Sequence, residues 1–463
     1  MTGSSMPLLS ITRERLSAEI SLDSVERNSN RFKLLTLNCW GLKYVSKFRQ
    51  QRMHYIARQI ALADADIVAL QECWVAADYD YIRKHTRNKF AYAKYFYSGI
   101  LAGSGLVVLS KFPIESVSMI PYVINGRPSA FFRGDWYVGK GIASAVIRHP
   151  SGVPIEIFNT HMHAPYGPGD ASYVCHRTSQ AWQLARQIRA AVERGHLVVA
   201  VGDFNSKPES VTYSLLTERA GLHDSWTTVH GTSSAHIRPE TLSPNDQIIS
   251  LGVTCDSLLN TWRSDRDISE AKRLDYCFHA PHLSTVTDIQ VTFIERVPDL
   301  NVSPSDHFGV AVTLEILPHS PSRLNSGHEQ VEQASRRHKF SVSNYTSILN
   351  TIREYRPTAN AQQYWRLLHF WISIIIVIAL HVGIFWVKQG WPAFLVLLGG
   401  TIIAVSGVID GMLGFLFARN ELRALLEFEE EVTWELRRVT ERLEDEFVHG
   451  SEVDEFEHGV KVT

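Results

Sequence analysis

Polar side chains that could carry out chemistry stand at the ends of several apolar segments of this 463-residue chain. They are carboxylates, amides and imidazoles from six separate segments: Asn38, Glu72, Asn159 with His161, Asp203 with Asn205, Asp275, and Asp306 with His307. One Asp or Asn at such a place is explained by turn formation. A lone Glu after a strand usually faces water. Because turn chemistry does not account for six such sites, the pattern predicts the reaction centre of an enzyme.

The residue types at these sites select a class of reaction. Glu72, Asn38 and Asp306 offer hard oxygen donors, and the sequence has neither clustered Cys nor the His spacing of a zinc site. Oxygen donors predict Mg²⁺, with Mn²⁺ as the alternative. A metal ion that polarises a phosphoryl oxygen, an imidazole that activates water and neutral donors that stabilise charge together predict phosphoryl chemistry.

The elements that must position these residues lie between residues 32 and 318, where short apolar segments alternate with helical patterns. We predict eight strands, at residues 33–37, 67–70, 106–109, 142–148, 155–159, 198–201, 274–278 and 310–316. We predict three helices, at residues 50–63, 173–193 and 210–220. Many strands with interspersed helices indicate an α/β enzyme whose sheets are covered by helices.

The motifs N-x-W, QE, NTH, GDFN, RLDY and SDH occur in this order and resemble those of the endonuclease/exonuclease/phosphatase superfamily of metal-dependent phosphodiesterases and phosphomonoesterases. The resemblance covers about residues 32–318 and implies a two-sheet α/β sandwich flanked by helices. It also implies that Glu72 is the principal Mg²⁺ ligand, that Asn38 lies beside it, and that Asp306 assists at the metal site.

The same resemblance implies the catalytic roles. His307 is expected to be the general base for the attacking water, and Asp275 to orient it. Asp203 is expected to help position that water. Asn205 is expected to bind a phosphate oxygen of the substrate, and His161 to stabilise the transition state.

A finer match narrows the branch of the superfamily. The segments NGRPSAFFRGDWYVGKG (residues 125–141), HMHAPY (161–166), HR…Q (176–180) and GVTCD…NTW (252–262) resemble neutral sphingomyelinases and fungal inositol phosphosphingolipid phospholipases C. In that branch an Asp and a Lys five residues apart, here Asp135 and Lys140, engage the substrate through a mobile loop. A nucleotide-binding P-loop is disfavoured because Gly141 replaces the Ser or Thr that would hold magnesium. The other alternative is a surface loop with a solvated Lys140.

A transmembrane helical hairpin is predicted near the C-terminus. Residues 367–387 carry no formal charge and, as a helix, span about 30 Å of hydrocarbon. A second apolar run, residues 391–418, contains one charge, Asp410, and only three residues separate the runs. A buried soluble hairpin is the alternative. Arginines flank the hairpin on both sides whereas the turn has only Lys388, which places both flanks in the cytosol.

Two features inside the hairpin suggest helix contacts. Gly407 and Gly411 form a G-x-x-x-G pair that lets the second helix approach a neighbour closely, unless the pair is incidental. His369 and Asp410 both fall near the cytosolic end of an antiparallel hairpin, so we hypothesise that they approach one another. The alternative is that Asp410 is protonated or reaches water.

The tail beyond Ala418 is acidic, with 14 acidic and 6 basic residues from Arg419 onward, and its apolar residues recur at helical spacing. We expect an amphipathic helix that pairs in a homodimer or lies on the cytosolic domain. The formal net charge of −2 argues against a nucleic-acid partner. Five widely spaced cysteines without a C-x-x-C pair predict buried, free thiols in a reducing compartment.

These patterns divide the chain into five parts: a mobile N-terminus (1–30), a catalytic domain (31–318), a linker (319–360), a transmembrane hairpin (361–418), and an acidic amphipathic helix with tail (419–463). The resemblance then implies a multi-pass membrane enzyme of phospholipase C type. Its substrate is a phosphosphingolipid, and an anionic phospholipid is a candidate activator. We expect the endoplasmic reticulum, or else the mitochondrial outer membrane. The competing functions are a phosphatase or nuclease of the same superfamily and a catalytically dead membrane scaffold.

Overall fold

The computed structural model describes residues 30–100, 103–130, 133–166, 173–232, 237–318 and 340–458, with side chains described up to residue 444. The chain folds as two compact units. The first takes in residues 1–121, 140–162 and 184–338, and the second takes in residues 122–139, 163–183 and 339–463. The predicted mobile N-terminus up to residue 29 and the predicted linker at residues 319–339 lie outside the described residues.

Two six-stranded sheets build the first unit. In chain order their strands are β1 (Arg31–Asn38), β2 (Ile67–Gln71), β3 (Tyr92–Tyr95), β4 (Val107–Ser110), β5 (Ile114–Pro121), β6 (Gly141–Arg148), β7 (Pro154–His161), β8 (Leu197–Asp203), β9 (His223–Asp224), β10 (Asp275–His279), β11 (Ser284–Thr292) and β12 (Gly309–Ile316). The strand order is β11-β12-β1-β2-β4-β3 in one sheet and β5-β6-β7-β8-β10-β9 in the other. Only β1 with β2 and β7 with β8 pair in parallel among these neighbours.

The main hydrophobic core is formed by apolar side chains from both sheets. It includes Leu34 and Ile67 from one sheet and Ala145, Ile157 and Val199 from the other, all buried. The parallel strand β2 is buried along its whole length, which explains why it is a continuous apolar run in the sequence. The two-sheet sandwich predicted from the resemblance is therefore confirmed.

Helices cover the sandwich. The helices up to residue 318 are α1 (Arg49–Leu62), α2 (Ala76–Thr86), α3 (Asp135–Val138), α4 (Val174–Glu193), α5 (Val211–Ser214), α6 (Ser225–His230) and α7 (Pro244–Leu251), of which α3 and residues 174–183 of α4 belong to the second unit. A second apolar cluster joins α1 and α2 to β1, β2 and β4. The predicted helix at residues 210–220 begins as α5, with Ser210 as its cap, and continues as the π-helical segment Leu215–Arg219.

Each of the eight predicted strands overlaps an observed strand. No predicted element corresponds to the strands β3, β5, β9 and β11 or to the helices α2, α3, α6 and α7. Strand β5 lies at a sheet edge and most of its side chains are at least partly exposed, so its sequence IESVSMIP has no continuous apolar run. An edge strand with exposed side chains lacks the apolar run by which a buried strand is recognised in a sequence.

Three long helices form most of the second unit: α8 (Val342–Gly383), α9 (Gly390–Met412) and α10 (Arg419–His458). Helices α8 and α9 form the predicted hairpin. Both glycines of the G-x-x-x-G pair face α8: a Cβ at Gly407 would lie 2.5 Å from Cβ of Ser373, and one at Gly411 would lie 2.6 Å from the Phe370 ring. The close approach is therefore made within the hairpin.

The hypothesis about His369 and Asp410 is confirmed. Nδ1 of His369 lies 2.7 Å from Oδ2 of Asp410, and Arg366 Nη1 donates to Oδ1 of the same carboxylate at 2.6 Å. Both helices are long and apolar enough to cross a membrane, and their apolar side chains are largely exposed. Helices that expose apolar side chains in this way support association with a membrane.

The linker predicted for residues 319–360 is wrong over its last part, because α8 begins at Val342. Tyr345, Ile348, Leu349 and Ile352 are buried on one side of this helix. Their spacing of three and four residues is a helical signal, but the polar residues between them masked it. Helix α8 is consequently one continuous helix that runs from this segment into the first apolar span.

Helix α10 carries the predicted amphipathic pattern. Its buried residues Leu425, Phe428 and Val432 belong to one face, and the Phe428 ring lies 5.9 Å from that of Trp182 in α4. Trp182 also donates from Nε1 to Glu431 at 2.8 Å. The apolar face of α10 is thus covered by other parts of the second unit.

Candidate active site

The strand topology gathers the sequence-predicted residues of the first unit at common sheet edges. Parallel strands β7 and β8 end side by side with His161 opposite Asp203, and the antiparallel strand β10 starts there with Asp275 opposite Asp203. In the other sheet, Asn38 ends β1 beside Gln71, and Glu72 follows directly. Strand β12 is antiparallel to β1, so the segment before it, which includes Asp306 and His307, arrives at the same end.

His307 and Asp275 form a buried hydrogen-bonded pair. Nδ1 of His307 lies 2.8 Å from Oδ2 of Asp275, and its Nε2 lies 3.9 Å from Oδ2 of Asp203. When Nδ1 donates its proton to Asp275, the lone pair of the neutral ring is on Nε2. An imidazole held by a carboxylate in this way has the geometry of a general base.

The surroundings of this pair shift the pKa values of His307 and of the neighbouring Asp203. Burial raises the pKa of Asp203, and Asp275 adds to that rise. Burial alone would lower the pKa of His307, but Cys255 and the carboxylates of Asp275 and Asp203 outweigh it and raise the pKa above its usual value. The imidazole of His307 is therefore more basic than that of an ordinary histidine.

Glu72 forms the other half of the site together with Asn38. Nδ2 of Asn38 donates to Oε1 of Glu72 at 3.1 Å and to Oδ2 of Asp203 at 3.0 Å, so one amide joins the two sheets. Trp74 Nε1 donates to Oε2 of Glu72 at 3.3 Å. Glu72 adopts a left-handed φ of 55°, which is rare for a residue with a side chain and is often found at functional sites.

Two sets of donors could hold a metal ion. Ligand atoms of Asp203, Asp275 and His307 all lie within 4.8 Å of one another. The other set is Glu72 with Asp306: burial raises the pKa of Glu72, and the charge of Asp306 raises it further. A cation beside Glu72 would offset this burial and repulsion, so the residues fit a metal ion.

The two other predicted metal ligands, Asp306 and Asn38, differ in their hydrogen bonds. Arg263 Nη2 donates to Oδ2 of Asp306 at 2.7 Å, and Oδ1 of Asp306 is buried without a hydrogen-bond partner among the described residues. That oxygen remains available as a ligand. Oδ1 of Asn38 accepts the backbone N–H of Trp40 at 3.0 Å, which leaves it one further lone pair.

Three further polar residues lie beside the carboxylates of Glu72 and Asp203: His161, Asn205 and Lys140. Nε2 of His161 lies 3.5 Å from Oδ2 of Asp203 and 3.9 Å from Oε1 of Glu72. Lys140 Nζ lies 3.0 Å from the same Nε2 and donates to the carbonyl of Met162 at 2.8 Å. Nδ2 of Asn205 donates to that carbonyl at 3.0 Å. The interpretation of Lys140 as a solvated surface residue is wrong, because Lys140 is buried.

Asp135 belongs to the second unit. It begins the short helix α3, it is buried, and its carboxylate accepts the hydroxyl of Tyr166 and, at 3.5 Å, the backbone N–H of Ala164. Arg133 lies over the Tyr166 ring at 5.3 Å from its centroid. The loop with Asp135 is thus held by a charged and aromatic cluster of its own unit.

The sequence analysis missed Arg52, whose side chain is fully buried. Its guanidinium donates to the carbonyls of Cys39, Trp40, Lys47 and Pro304. It thereby ties the loop after Asn38 to the segment that leads to Asp306. Arg52 shares the buried face of α1 with Ile56 and Ile60 at four-residue spacing, and a charged residue on an apolar face was the available signal.

A buried amide pair was also missed. Gln71 Nε2 donates to Oδ1 of Asn159 at 2.7 Å, and Asn159 Nδ2 donates to the carbonyls of Leu70 and Val107. Asn159 therefore holds the two sheets together directly beneath Glu72. The position of Asn159 in the NTH motif suggests a role in the reaction, whereas its hydrogen bonds hold the two sheets together.

Comparison with known proteins agrees with this geometry. Residues 35–307 match the model of the Endonuclease/Exonuclease/phosphatase family. The chain is 42% identical over 445 residues to a Saccharomyces cerevisiae protein named inositol phosphosphingolipids phospholipase C, which covers 90% of this chain and 93% of the relative. A Schizosaccharomyces pombe protein of the same name is 41% identical over 413 residues, covering 88% and 94%.

The human protein sphingomyelin phosphodiesterase 2 is 37% identical over 198 residues, which is 43% of this chain and 46% of that protein. The family match spans more than half of the chain, and the two yeast relatives align over nearly all of it. The chain therefore belongs to the endonuclease/exonuclease/phosphatase family, alongside relatives named as phosphosphingolipid phospholipases C and sphingomyelin phosphodiesterases.

Proposed function

We propose that this chain is a membrane-anchored phospholipase C that hydrolyses the phosphodiester of phosphosphingolipids, either sphingomyelin or inositol phosphorylceramide. The products are ceramide and a phosphorylated head group. The observation that carries this proposal is the buried His307–Asp275 pair, which lies with Asp203 at the same end of the fold as Glu72. The names of the yeast and human relatives supply the substrate class.

In the proposed reaction, Nε2 of His307 accepts a proton from the attacking water while Asp275 holds the ring through Nδ1. The water oxygen forms a bond to phosphorus, the bond between phosphorus and the ceramide oxygen breaks, and the proton taken up by His307 balances the one that the ceramide oxygen gains as it leaves as a hydroxyl. Asp203 orients the water, and Asn205 binds a phosphoryl oxygen. His161 and the charge of Lys140 stabilise the negative charge that develops on the phosphoryl group.

Glu72, Asn38 and Asp306 are the proposed holders of the metal ion, and Mg²⁺ is proposed with Mn²⁺ as the alternative because all three offer oxygen donors. When bound, the metal supplies Lewis-acid polarisation of a phosphoryl oxygen. Asp135 and Lys140 are each proposed as substrate-binding residues. Among these residues, Glu72 and Asn205 have positive φ angles, as strained functional residues often do.

The membrane arrangement is also a proposal. Helices α8 and α9 would both span the bilayer, with the catalytic domain and the C-terminus in the cytosol, in the endoplasmic reticulum or the mitochondrial outer membrane. The arginines that flank the hairpin support this orientation. An anionic phospholipid activator and a homodimer through α10 remain predictions, and the apolar face of α10 that is covered within its own unit offers no support for the dimer.

The test is release of the head group from sphingomyelin and from inositol phosphorylceramide in mixed micelles, with Mg²⁺ or with EDTA, by the wild type and His307→Ala. We expect cleavage that needs both the metal and His307, and the ratio of the two rates identifies the head group. If the folded, metal-loaded enzyme cleaves neither lipid, even with anionic lipid added, the phosphatase or nuclease alternative is favoured.

A further inference from the structure

Two loops of the first unit present large apolar side chains to solvent at the end of the sheet that carries Asn38 and Glu72. The first loop, residues 39–48, leaves β1 directly after Asn38. The second connects β3 to β4, and its described residues are 96–100 and 103–106. Strand β4 is antiparallel to β2, with Val107 opposite Leu70, so this loop reaches the same end of the sheet as Glu72.

The exposure of these side chains is large. Relative exposure is 92% for Tyr44 and 62% for Val45 in the first loop, and 72% for Tyr97 and 68% for Ile100 in the second. We call these four residues the apolar rim. Scattered apolar residues are normal on a protein surface, but two groups at the end of the sheet where Asn38 and Glu72 lie indicate a contact surface.

The chemistry of both loops fits a lipid surface. Neither loop contains Asp or Glu, and the first has two exposed lysines, Lys43 and Lys47. Nζ of Lys43 lies 4.9 Å from the centroid of the Tyr44 ring. Aromatic side chains flanked by lysine are typical of the membrane interface, where the ring enters the head-group layer and the ammonium meets lipid phosphate.

The first loop is also held in place. Arg52 donates to the carbonyls of Trp40 and Lys47 at 2.8 and 2.9 Å, which fixes both ends of the loop. The backbone N–H groups of Val45 and Ser46 donate to the carbonyl of Leu42, which shapes the tip. Tyr44 and Val45 are therefore presented by a braced turn, and little conformational freedom is lost when the loop meets a surface.

We propose that the apolar rim inserts into the interfacial layer of the bilayer that holds the substrate and brings the reaction centre to the lipid head groups. The partner is a lipid surface, with phosphates as counter-charges for Lys43 and Lys47. This inference rests on the proposed function in one respect: an enzyme that cleaves a membrane lipid must reach the lipid head groups, which is the reason for contact with the bilayer. Its first test does not depend on activity.

That test places a fluorescent bimane label on Tyr44→Cys in the full chain, reconstituted into phosphatidylcholine vesicles with brominated acyl chains. Labelling is selective because all five native cysteines are buried. The matched control is Leu62→Cys, since Leu62 is 78% exposed but lies at the far end of α1, close to the start of β2. We expect the bromines to quench the label at residue 44 and not at residue 62. Equal quenching at both positions, or none at residue 44, would overturn the proposal.

The second test compares two substrates for the double variant Tyr44→Ser/Val45→Ser and for Leu62→Ser. Cleavage of phosphosphingolipid in the vesicles should fall by about tenfold or more in the double variant, because two apolar side chains that would leave water at the bilayer are lost. Cleavage of a short-chain, water-soluble analogue should be retained, and Leu62→Ser should match the wild type with both.

The outcomes separate the two proposals. Equal loss on both substrates would mean that the rim residues support the reaction centre rather than the membrane contact, and it would overturn the inference. Full activity on vesicles would do the same. A wild type that cleaves neither substrate would refute the proposed function, while quenching at residue 44 alone would still support the rim.

Discussion

Nζ of Lys140 lies 3.0 Å from Nε2 of His161, and both side chains are buried. The charge of Lys140 also lowers the pKa of Glu72 and of Asp203, against the upward effect of burial. Lys140 is thus a buried cation that stabilises the carboxylates at the reaction centre.

Replacing Lys140 should therefore impair catalysis more than folding. We expect Lys140→Met to lower kcat by about 100-fold, the usual effect of removing one charged donor at a developing oxyanion. Lys140→Arg should retain part of the activity, because it keeps the charge but not the geometry. Steady-state kinetics in micelles measure this, with circular dichroism to confirm the fold. Activity of Lys140→Met close to the wild type would contradict the role.

Loss of the proposed base should be more severe. His307→Ala should reduce turnover by about 10² to 10⁴-fold, because the variant loses the imidazole that Asp275 holds through Nδ1. Association with membranes should be unaffected, since His307 lies outside the apolar helices. Head-group release and vesicle flotation are the two measurements. A variant that still turns over at the wild-type rate would remove His307 from the mechanism.

The pH profile should show the raised pKa of His307. The base must be neutral to accept a proton, so activity should rise with pH through a value above the ordinary histidine pKa of 6.5. In Asp275→Asn the carboxylate that raises this pKa is gone, so the acid limb should move to lower pH while kcat falls. The profile of kcat/KM from pH 5 to 9 checks both effects. An acid limb that stays in place would assign it to another group.

Metal activation should depend on Glu72. We expect Glu72→Gln to raise the Mg²⁺ concentration needed for half-maximal activity by about tenfold or more, because a neutral amide binds a hard cation less well than a carboxylate does. The matched control is Glu315→Gln on β12, where the exposed carboxylate pairs with Arg31. Titration of activity with Mg²⁺ distinguishes them. Identical curves for Glu72→Gln and the wild type would exclude Glu72 as a ligand.

The hairpin offers a test of packing with an internal control. Gly411→Ala puts a methyl group 2.6 Å from the Phe370 ring, whereas Gly399→Ala in the same helix has open space around its Cβ. Overpacking should cost about 1–3 kcal/mol, so Gly411→Ala should unfold at lower temperature in detergent. Gly399→Ala should not be destabilised. Equal melting temperatures for the two variants would contradict the observed helix contact.

Several features could be predicted without the fold. Residues 67–70 and 198–201 were identified as strands because buried parallel strands are continuous apolar runs. The hairpin was predicted because two uncharged runs of spanning length follow one another. The assignment of roles to Glu72 and His307 came from the resemblance of motifs, and those roles remain predictions.

Other features depend on contacts that periodicity does not encode. The polar residues of the segment 342–360 resemble a linker and hide Ile348 and Ile352, which are buried within the second unit, where α8 packs against α10. Arg52 looked like a surface residue, but four carbonyls from three separated segments satisfy its buried guanidinium. No local pattern specifies such acceptors.

The sequence by itself determined where the main strands and the two apolar helices run and which polar residues end those strands, because these properties follow from local periodicity and residue type. Only the tertiary structure decided that Lys140 lies against His161, that Asn38 joins Glu72 to Asp203, and that the loops after β1 and before β4 reach the same end of the sheet as Glu72. These relationships join residues far apart in the chain, so they exist only once the sheets have paired and packed.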